Sequence, residues 1–189
     1  EDLRGKLAEV EAKKAKLLQD VSFAGYQTAE KERQSTKALI DAITELNAKA
    51  LEVQGNLGAA AAIRFDAQNE SLRKLLQANG QTNALAQLAG LKDAAKFQAE
   101  LNRLQAVFGL AQGDLQIAEE RISIARERGT VGEIESLTRS GAARREALAA
   151  MQRQLELFQS LNLAATSPEQ VQAIERLKLQ IEGLQATLD

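Results

Sequence analysis

The chain has no cysteine, no histidine and no tryptophan, and Pro168 is its one proline among 189 residues. Each absence excludes something. Without cysteine there is no disulfide, no thiolate nucleophile and no Cys/His metal site. Without histidine the usual general base is missing. With a single proline there is almost nothing to interrupt a helix, since proline removes a backbone donor and clashes with the preceding turn. Aromatic residues make up 3% of the chain (Phe23, Tyr26, Phe65, Phe97, Phe108 and Phe158) against 44% hydrophobic residues in all. A thick globular core uses more large side chains. Alanine and leucine suit thin layers of two or three helices, so an extended shape is expected. No apolar run approaches the 18 or so residues needed to cross a bilayer, and no signal peptide opens the sequence. No sign of charge dominates: 24 basic residues face 26 acidic ones, net −2. The charges are interspersed, as on solvated helix faces with i,i+4 pairs, and this argues against a nucleic-acid surface, which concentrates Lys and Arg.

What remains is rich in Ala, Leu, Gln, Glu, Arg and Lys, the helix formers. The spacing of apolar residues predicts helices almost throughout. Leu3, Leu7, Val10, Leu17 and Val21 form a stripe over 3–21, with Lys14 in the gap, and Ser22–Thr28, with Gly25, marks a kink or break. Over 28–54 the stripe is Leu39, Ile43, Leu46, Ala50 and Val53, a heptad-like face on a helix of about 40 Å. Gly55-Asn56-Leu57-Gly58 breaks it. A helix over 59–78 carries Ile63, Leu72, Leu75 and Leu76, and its Ala59–Ala62 run marks close helix approach or plain propensity. Gly80 suits a left-handed C-terminal cap. A helix over 84–108 carries Phe97, Leu101, Leu104 and Phe108, with Gly90 weakening it locally. Gly109–Gly113 is expected to end it, with Asp114 capping a further helix over 115–128 striped by Leu115, Ala118, Ile122 and Ala125. After Gly129, Thr130-Val131-Gly132-Glu133 reads as a capping box for a helix to about 161 with Ile134, Leu137, Leu148, Met151, Leu155 and Phe158. Ser167 caps the last helix, with Pro168 in its first position and Gln170 completing a second box. Its heptad row is Ile174, Leu177, Ile181, Leu184 and Leu188.

The expected fold is therefore all-α: elongated antiparallel helical hairpins or a coiled-coil-like bundle. We read residues 1–189 as a single elongated helical segment excised from a longer protein, since it starts without Met inside a helical pattern, with sub-units 1–54, 59–108, 114–161 and 168–189. After Gly80, Gly129 and Thr166 an apolar pair recurs five and eight residues on (Leu85/Leu88, Ile134/Leu137, Val171/Ile174). The recurrence reads either as the general need of any helical hairpin or as a duplicated hairpin.

No catalytic constellation emerges, and no catalytic, cofactor-binding or metal-binding residue is assigned; the chain is not expected to be an enzyme. Glu119-Glu120 and Glu133/Glu135 are paired acids on solvated faces. The serines have no histidine partner. Gly55-x-x-Gly58 and Gly129-x-x-Gly132 lack the strand and the Gly-Lys-Ser/Thr ending of a phosphate loop. Arg144-Arg145, with Arg139 and Arg153, is the densest basic cluster, and reads as a solvated helix face ahead of a phosphate or acidic-partner contact. No helix joins a basic face to bulky aromatics, so no membrane-surface role is expected.

Two passages carry a resemblance. Ile117-Ala-Glu-Glu-Arg-Ile-Ser-Ile-Ala-Arg-Glu-Arg-Gly-Thr-Val-Gly-Glu-Ile-Glu-Ser-Leu137 and Ser167-Pro-Glu-Gln-Val-Gln-Ala-Ile-Glu-Arg-Leu-Lys-Leu-Gln-Ile-Glu-Gly-Leu-Gln-Ala-Thr-Leu-Asp189 resemble the tail tape measure proteins of long-tailed phages and prophages, in the helical region towards their C-terminal part. The style of Ala/Gln-rich helices with glycine punctuation covers most of the chain. The peptidoglycan-cleaving motifs and long apolar segments found elsewhere in that family have no counterpart here. The resemblance implies a structural component that lies in the tail tube and sets tail length. It also implies tail tube protein and tail assembly chaperones as partners, and location in the virion tail, with host cytoplasm during assembly. Helix length converts residue number into distance at a fixed rise, which suits that role. Self-association through the helix stripes is a further expectation. The alternatives are a cellular coiled-coil adaptor or scaffold, and an α-solenoid binding module. The solenoid would need regular hairpins, whereas the breaks near 55, 80, 110, 130 and 166 are irregular.

Overall fold

The computed structural model describes residues 29–188, and among them every regular element is a helix. There are five: α1 (residues 29–53), α2 (Leu57–Ala78), α3 (Thr82–Glu127), α4 (Glu133–Ser160) and α5 (Pro168–Ala186). The all-α expectation is met. The stripe over 3–21 and the break at 22–28 lie outside the described residues. The chain divides into two units, Glu1–Leu46 and Asn47–Asp189. Residues 29–46 of α1 belong to the first and residues 47–53 to the second.

In the first unit the helix carries its apolar row uncovered. Leu39, Ile43 and Leu46 are 62%, 50% and 66% exposed, and Ile40 beside them 53%. In the second unit Val53, the end of the same row, is exposed too. The heptad-like spacing is real, but it is not the buried face that the periodicity predicted. In residues 47–53 the buried position is Ala48, two residues from both Leu46 and Ala50 and so on the opposite face of the helix.

The second unit is organised around α3. At 46 residues it rises about 70 Å. The bonds between helices give its directions. Gly58 meets Glu100 and Asp66 meets Lys92, so α2 runs antiparallel along the first half of α3. Glu119 meets Arg144 and Phe97 meets Phe158, so α4 runs antiparallel along the second half. Gln98 meets Gln170, and Phe108 and Gln112 share a groove with Leu177 and Gln180, so α5 runs parallel to α3. The tips of the two hairpins stand at opposite ends of α3, while the start of α2 and the end of α4 both sit at its middle.

Local chemistry explains the tips. At Gly80 (φ 64°) the N–H of Gly80 donates to Gln77 and that of Gln81 to Leu76; at Gly129 (φ 68°) the N–H of Gly129 donates to Arg126 and that of Thr130 to Ala125. Both are left-handed C-terminal caps that absorb the helix's last free carbonyls, and a Cβ would be strained at either φ. Thr130 therefore serves α3, its hydroxyl donating to the Ala125 carbonyl at 2.9 Å, and α4 starts from Gly132 without a side-chain cap. The capping box read at Thr130–Glu133 is corrected accordingly. The start of α5 is as expected: Ser167 Oγ accepts from the Gln170 N–H at 3.4 Å and Pro168 occupies the first position. The Gln170 side chain reaches one residue further back than a capping box requires, accepting from Thr166 N–H at 2.8 Å. Ser167→Ala should cost about 1 kcal/mol, read as a lowered urea midpoint with an unchanged slope.

The expected break at Gly109–Gly113 is also corrected, because α3 passes through it and Asp114 lies in mid-helix. A helical glycine costs only about 1 kcal/mol against alanine. Here Leu104 and Phe108 on one side of the glycines and the packed Ala111 between them hold the helix to α4 and α5. A Cβ on Gly109 or Gly113 would meet nothing within 4 Å, so neither glycine is demanded by a close approach.

The core joins Phe97, Leu101, Leu104 and Phe108 of α3 to Met151 and Phe158 of α4 and to Leu177 and Ile181 of α5. Phe97 and Phe158 meet edge to face at 5.3 Å between centroids, a favoured aromatic geometry. Three of the five phenylalanines are thus gathered into one three-helix core. Elsewhere small residues do the packing. In α2 the buried positions are Gly58, Ala60 and Ala62, while Leu72 and Leu75 are exposed, so the alanine run does mark a close approach. At the start of α4, Val131 and Ser136 are buried, whereas Ile134 and Leu137 are 82% and 67% exposed. Further along α4 the expected stripe does face inward, with Met151 and Phe158 buried and Leu148 and Leu155 packed against the core, while at its start Ser136 takes the inward position in place of Ile134 and Leu137. Leu137→Asp should therefore shift stability by under about 0.5 kcal/mol, and a thermal melt matching the parent protein checks it.

The recurring turn-plus-pair unit is not repeated as structure. Gly80 and Gly129 form alike caps, but the third turn is a Ser-Pro start, and of the three apolar pairs Ile134/Leu137 faces solvent while Leu85/Leu88 is half-buried.

Candidate functional site

The one carboxylate among the buried residues of the described chain is Glu100, 4% exposed, and it sits where three helices converge. Asn56 opens α2 by accepting from the Ala59 N–H through its side chain. The neighbouring free donor, Gly58 N–H, points across to α3 and donates to Glu100 Oε1 at 2.6 Å. Glu100 Oε2 faces Arg103 Nη1 at 3.4 Å. A carboxylate at a helix N-terminus is favoured by the backbone dipoles and by the unpaired amides there, and charge-assisted bonds of this kind run short. Position 58 is tight: a Cβ there would lie 3.2 Å from Glu100 Cγ and 3.3 Å from its Oε1, so the Glu100 side chain would have to move by a few tenths of an ångström. The end of α1 joins the cluster through the Glu52–Arg64 ion pair, next to the fully buried Ala48. Sequence reading took Gly55–Gly58 as a plain breaker. Asn56 is the signal for a helix start; nothing local reveals Glu100, which is 42 residues away.

The residues weighed as candidates from sequence have structural roles. Glu119 is not on a solvated face: its Oε1 accepts from Arg144 Nε at 2.6 Å and Ser140 Oγ at 3.2 Å, bridging α3 to α4. That bridge also withdraws Arg144 from the basic cluster, and Arg139 pairs with Glu135 on its own helix. Glu133 lies 3.6 Å from Arg126 across the hairpin tip. Gln170, buried at the start of α5, donates through Nε2 to Gln98 on α3. The arrangement ties helix starts and hairpin flanks together.

Two exposed acids titrate below their ordinary range. Glu70 is lowered by the hydrogen bond from Lys74 and then by that residue's charge, and Glu169 by the Ser167 hydroxyl and then by its own backbone N–H. A depressed carboxylate adds stability above its unfolded pKa and loses it as pH falls through the folded one. Both contributions are therefore present at neutral pH and fade on acidification.

Among the described residues no group of acidic side chains is placed to hold a metal ion, and no helix is long and apolar enough to cross a membrane. The α3–α4 hairpin leaves an open groove of about 310 Å³, floored by Ala111, Leu115, Ala118 and Ala147 and edged by Asp114 and Glu146. Comparison of the chain with protein-family models, curated proteins and solved structures finds no match to any of them.

Proposed function

We propose that this chain is a helical structural segment of a tail tape measure protein of a long-tailed phage or prophage. The observation that carries the reading is the resemblance of residues 117–137 and 167–189 to that family. Two features of the protein support it. The 46-residue α3 runs without interruption past Gly90, Gly109 and Gly113, and a helix is a ruler with a fixed rise of about 1.5 Å per residue. The polar clusters are spent on joining helices, which suits a role of reach and contact. On this reading the segment acts without catalysis, is met by tube protein and tail assembly chaperones, and travels with the virion tail.

The test is genetic and geometric. In-frame removal or duplication of the α3–α4 hairpin in the parent gene should change tail length, measured by electron microscopy, in proportion to the residues changed. Tails of unaltered length around a protein of altered length would overturn the proposal.

One observation favours a second reading, a cellular coiled-coil adaptor: the exposed row from Leu39 to Leu46 is the kind of face such proteins use. The neighbouring genes separate the two, since tail genes around the parent frame favour the first and their absence the second.

A further inference from the structure

The half of α3 that packs on α4 keeps an apolar row on its outer side. Leu110, Ile117 and Ile124 are 68%, 48% and 39% exposed. They recur every seven residues, so they drift by only about 20° at each step and stay on one face. Two charges stand in the same row, four residues after Leu110 and Ile117: Asp114 and Arg121. Both are exposed, and neither pairs with another charge among the described residues. Small residues run alongside. Ala111, Ala118 and Ala125 each follow a large aliphatic residue by one position and are half-buried. Ala111 and Ala118 form part of the floor of the α3–α4 groove.

We propose that this row is the contact face of a symmetric dimer, in which α3 packs antiparallel on α3 of a second copy of the chain. The pattern is complementary to itself about a two-fold axis between Ile117 and Ala118. With the axis there, Leu110 lies over the partner's Ala125, Ile117 over the partner's Ala118, and Ile124 over the partner's Ala111. Asp114 then faces the partner's Arg121. The axis makes every one of these contacts twice.

Two properties of the face select a second copy as its occupant. The first is shape. Each wide position meets a narrow one, so two identical helices approach closely without leaving voids. The groove of about 310 Å³ beside Ala111 and Ala118 gives room to the aliphatic side chains that come over them. The second is charge. An occupant has to bring a cation opposite Asp114 and an anion opposite Arg121, and an inverted copy of the face brings both. A parallel pair would set Asp114 against the partner's Asp114 and Arg121 against the partner's Arg121. Like charges brought together in this way oppose association, so the two residues also fix the direction. The seam from Leu110 to Ala125 is about 23 Å long. The inference goes beyond the tail assignment and does not depend on it.

The test is sedimentation equilibrium of the full chain at tens of micromolar, with circular dichroism as the check on folding. The parent chain should be a dimer that dissociates on dilution. Ile117→Asp, at a half-exposed position, should be monomeric with unchanged helix content. Ile43→Asp, on the exposed row of α1, should leave the dimer intact. The charges supply the decisive arm. Asp114→Arg and Arg121→Asp should each weaken the dimer by at least about tenfold, because each sets like charges together twice, and D114R/R121D should recover the parent's affinity to within about threefold. Positions 114 and 121 are about 10 Å apart along one helix, so such a rescue reports contact between copies. A parent chain that stays monomeric would leave the face to a different partner and overturn the proposal. So would a dimer that survives Ile117→Asp, a dimer lost in Ile43→Asp, or a double variant that associates no more tightly than the single ones.

Discussion

Leu101→Asp is expected to unfold the α3–α4–α5 core, with a loss of roughly 4 kcal/mol or more. Leu101 is 2% exposed and packed among Phe97, Leu104, Phe108 and Phe158 or their partly buried neighbours. The substitution removes a buried leucine and leaves a carboxylate in an apolar setting. The ionised form costs several kcal/mol without a partner, and the one close cation on the same helix, Arg103, already faces Glu100. Domains of this size hold only about 5–15 kcal/mol in all, so the loss takes up a large share. Urea denaturation followed by circular dichroism measures it. A variant that unfolds at the parent's midpoint would mean that Leu101 is solvent-facing. Leu155→Asp should act in the same direction and less strongly, because Leu155 is only partly buried beside that core.

Gly58→Val should cost about 3 kcal/mol and should act on a different part of the fold. The valine side chain enters space held by Glu100 Cγ and Oε1, which is overpacking against a buried side chain, and it displaces the acceptor of the Gly58 N–H. Leaving that amide unpaired, and the buried carboxylate with Arg103 alone, adds a penalty of about 1–3 kcal/mol by itself. The damage should stay local. Hydrogen exchange should quicken through α2, while amides around Phe108, Met151 and Leu177 keep their protection. Glu100→Gln, which keeps the shape and an acceptor oxygen, should lose about 1 kcal/mol. If Gly58→Val exposed α4 and α5 equally, α2 would be an integral part of the core and not a separately stapled element.

These two positions also show why some of the fold was legible and some was not. Leu101 sits in the row Phe97–Leu101–Leu104–Phe108, which periodicity predicted and which is buried at all four positions. Large side chains at helical spacing declare their face. The same rule misled at Ile134 and Leu137, where the contact between α3 and α4 is made by small and polar residues such as Ser136 and Ala147, and large residues face outward. The glycines at 109 and 113 misled for a related reason: a local preference worth about 1 kcal/mol is overridden by packing from two neighbouring helices. Glycine was a sound signal where φ is positive, at Gly80 and Gly129, because there no other residue fits as well. The Glu100 joint lay beyond local reading altogether. Its capping residue stands on a different helix from the amide it serves, and the glutamate's own surroundings in sequence look like any helix face.

The position of the free ends along α3 has a mechanical consequence. Because α2 begins beside Glu100 and α4 ends beside Phe97, tension applied to the backbone at either point acts across the long helix and not along it. Such a load opens the hairpins like zips, a turn at a time, and never has to shear a whole seam at once. Resistance to being drawn out is then set by the strongest single rung, and the Gly58–Glu100 bond is the first one met when the pull comes from the α2 side.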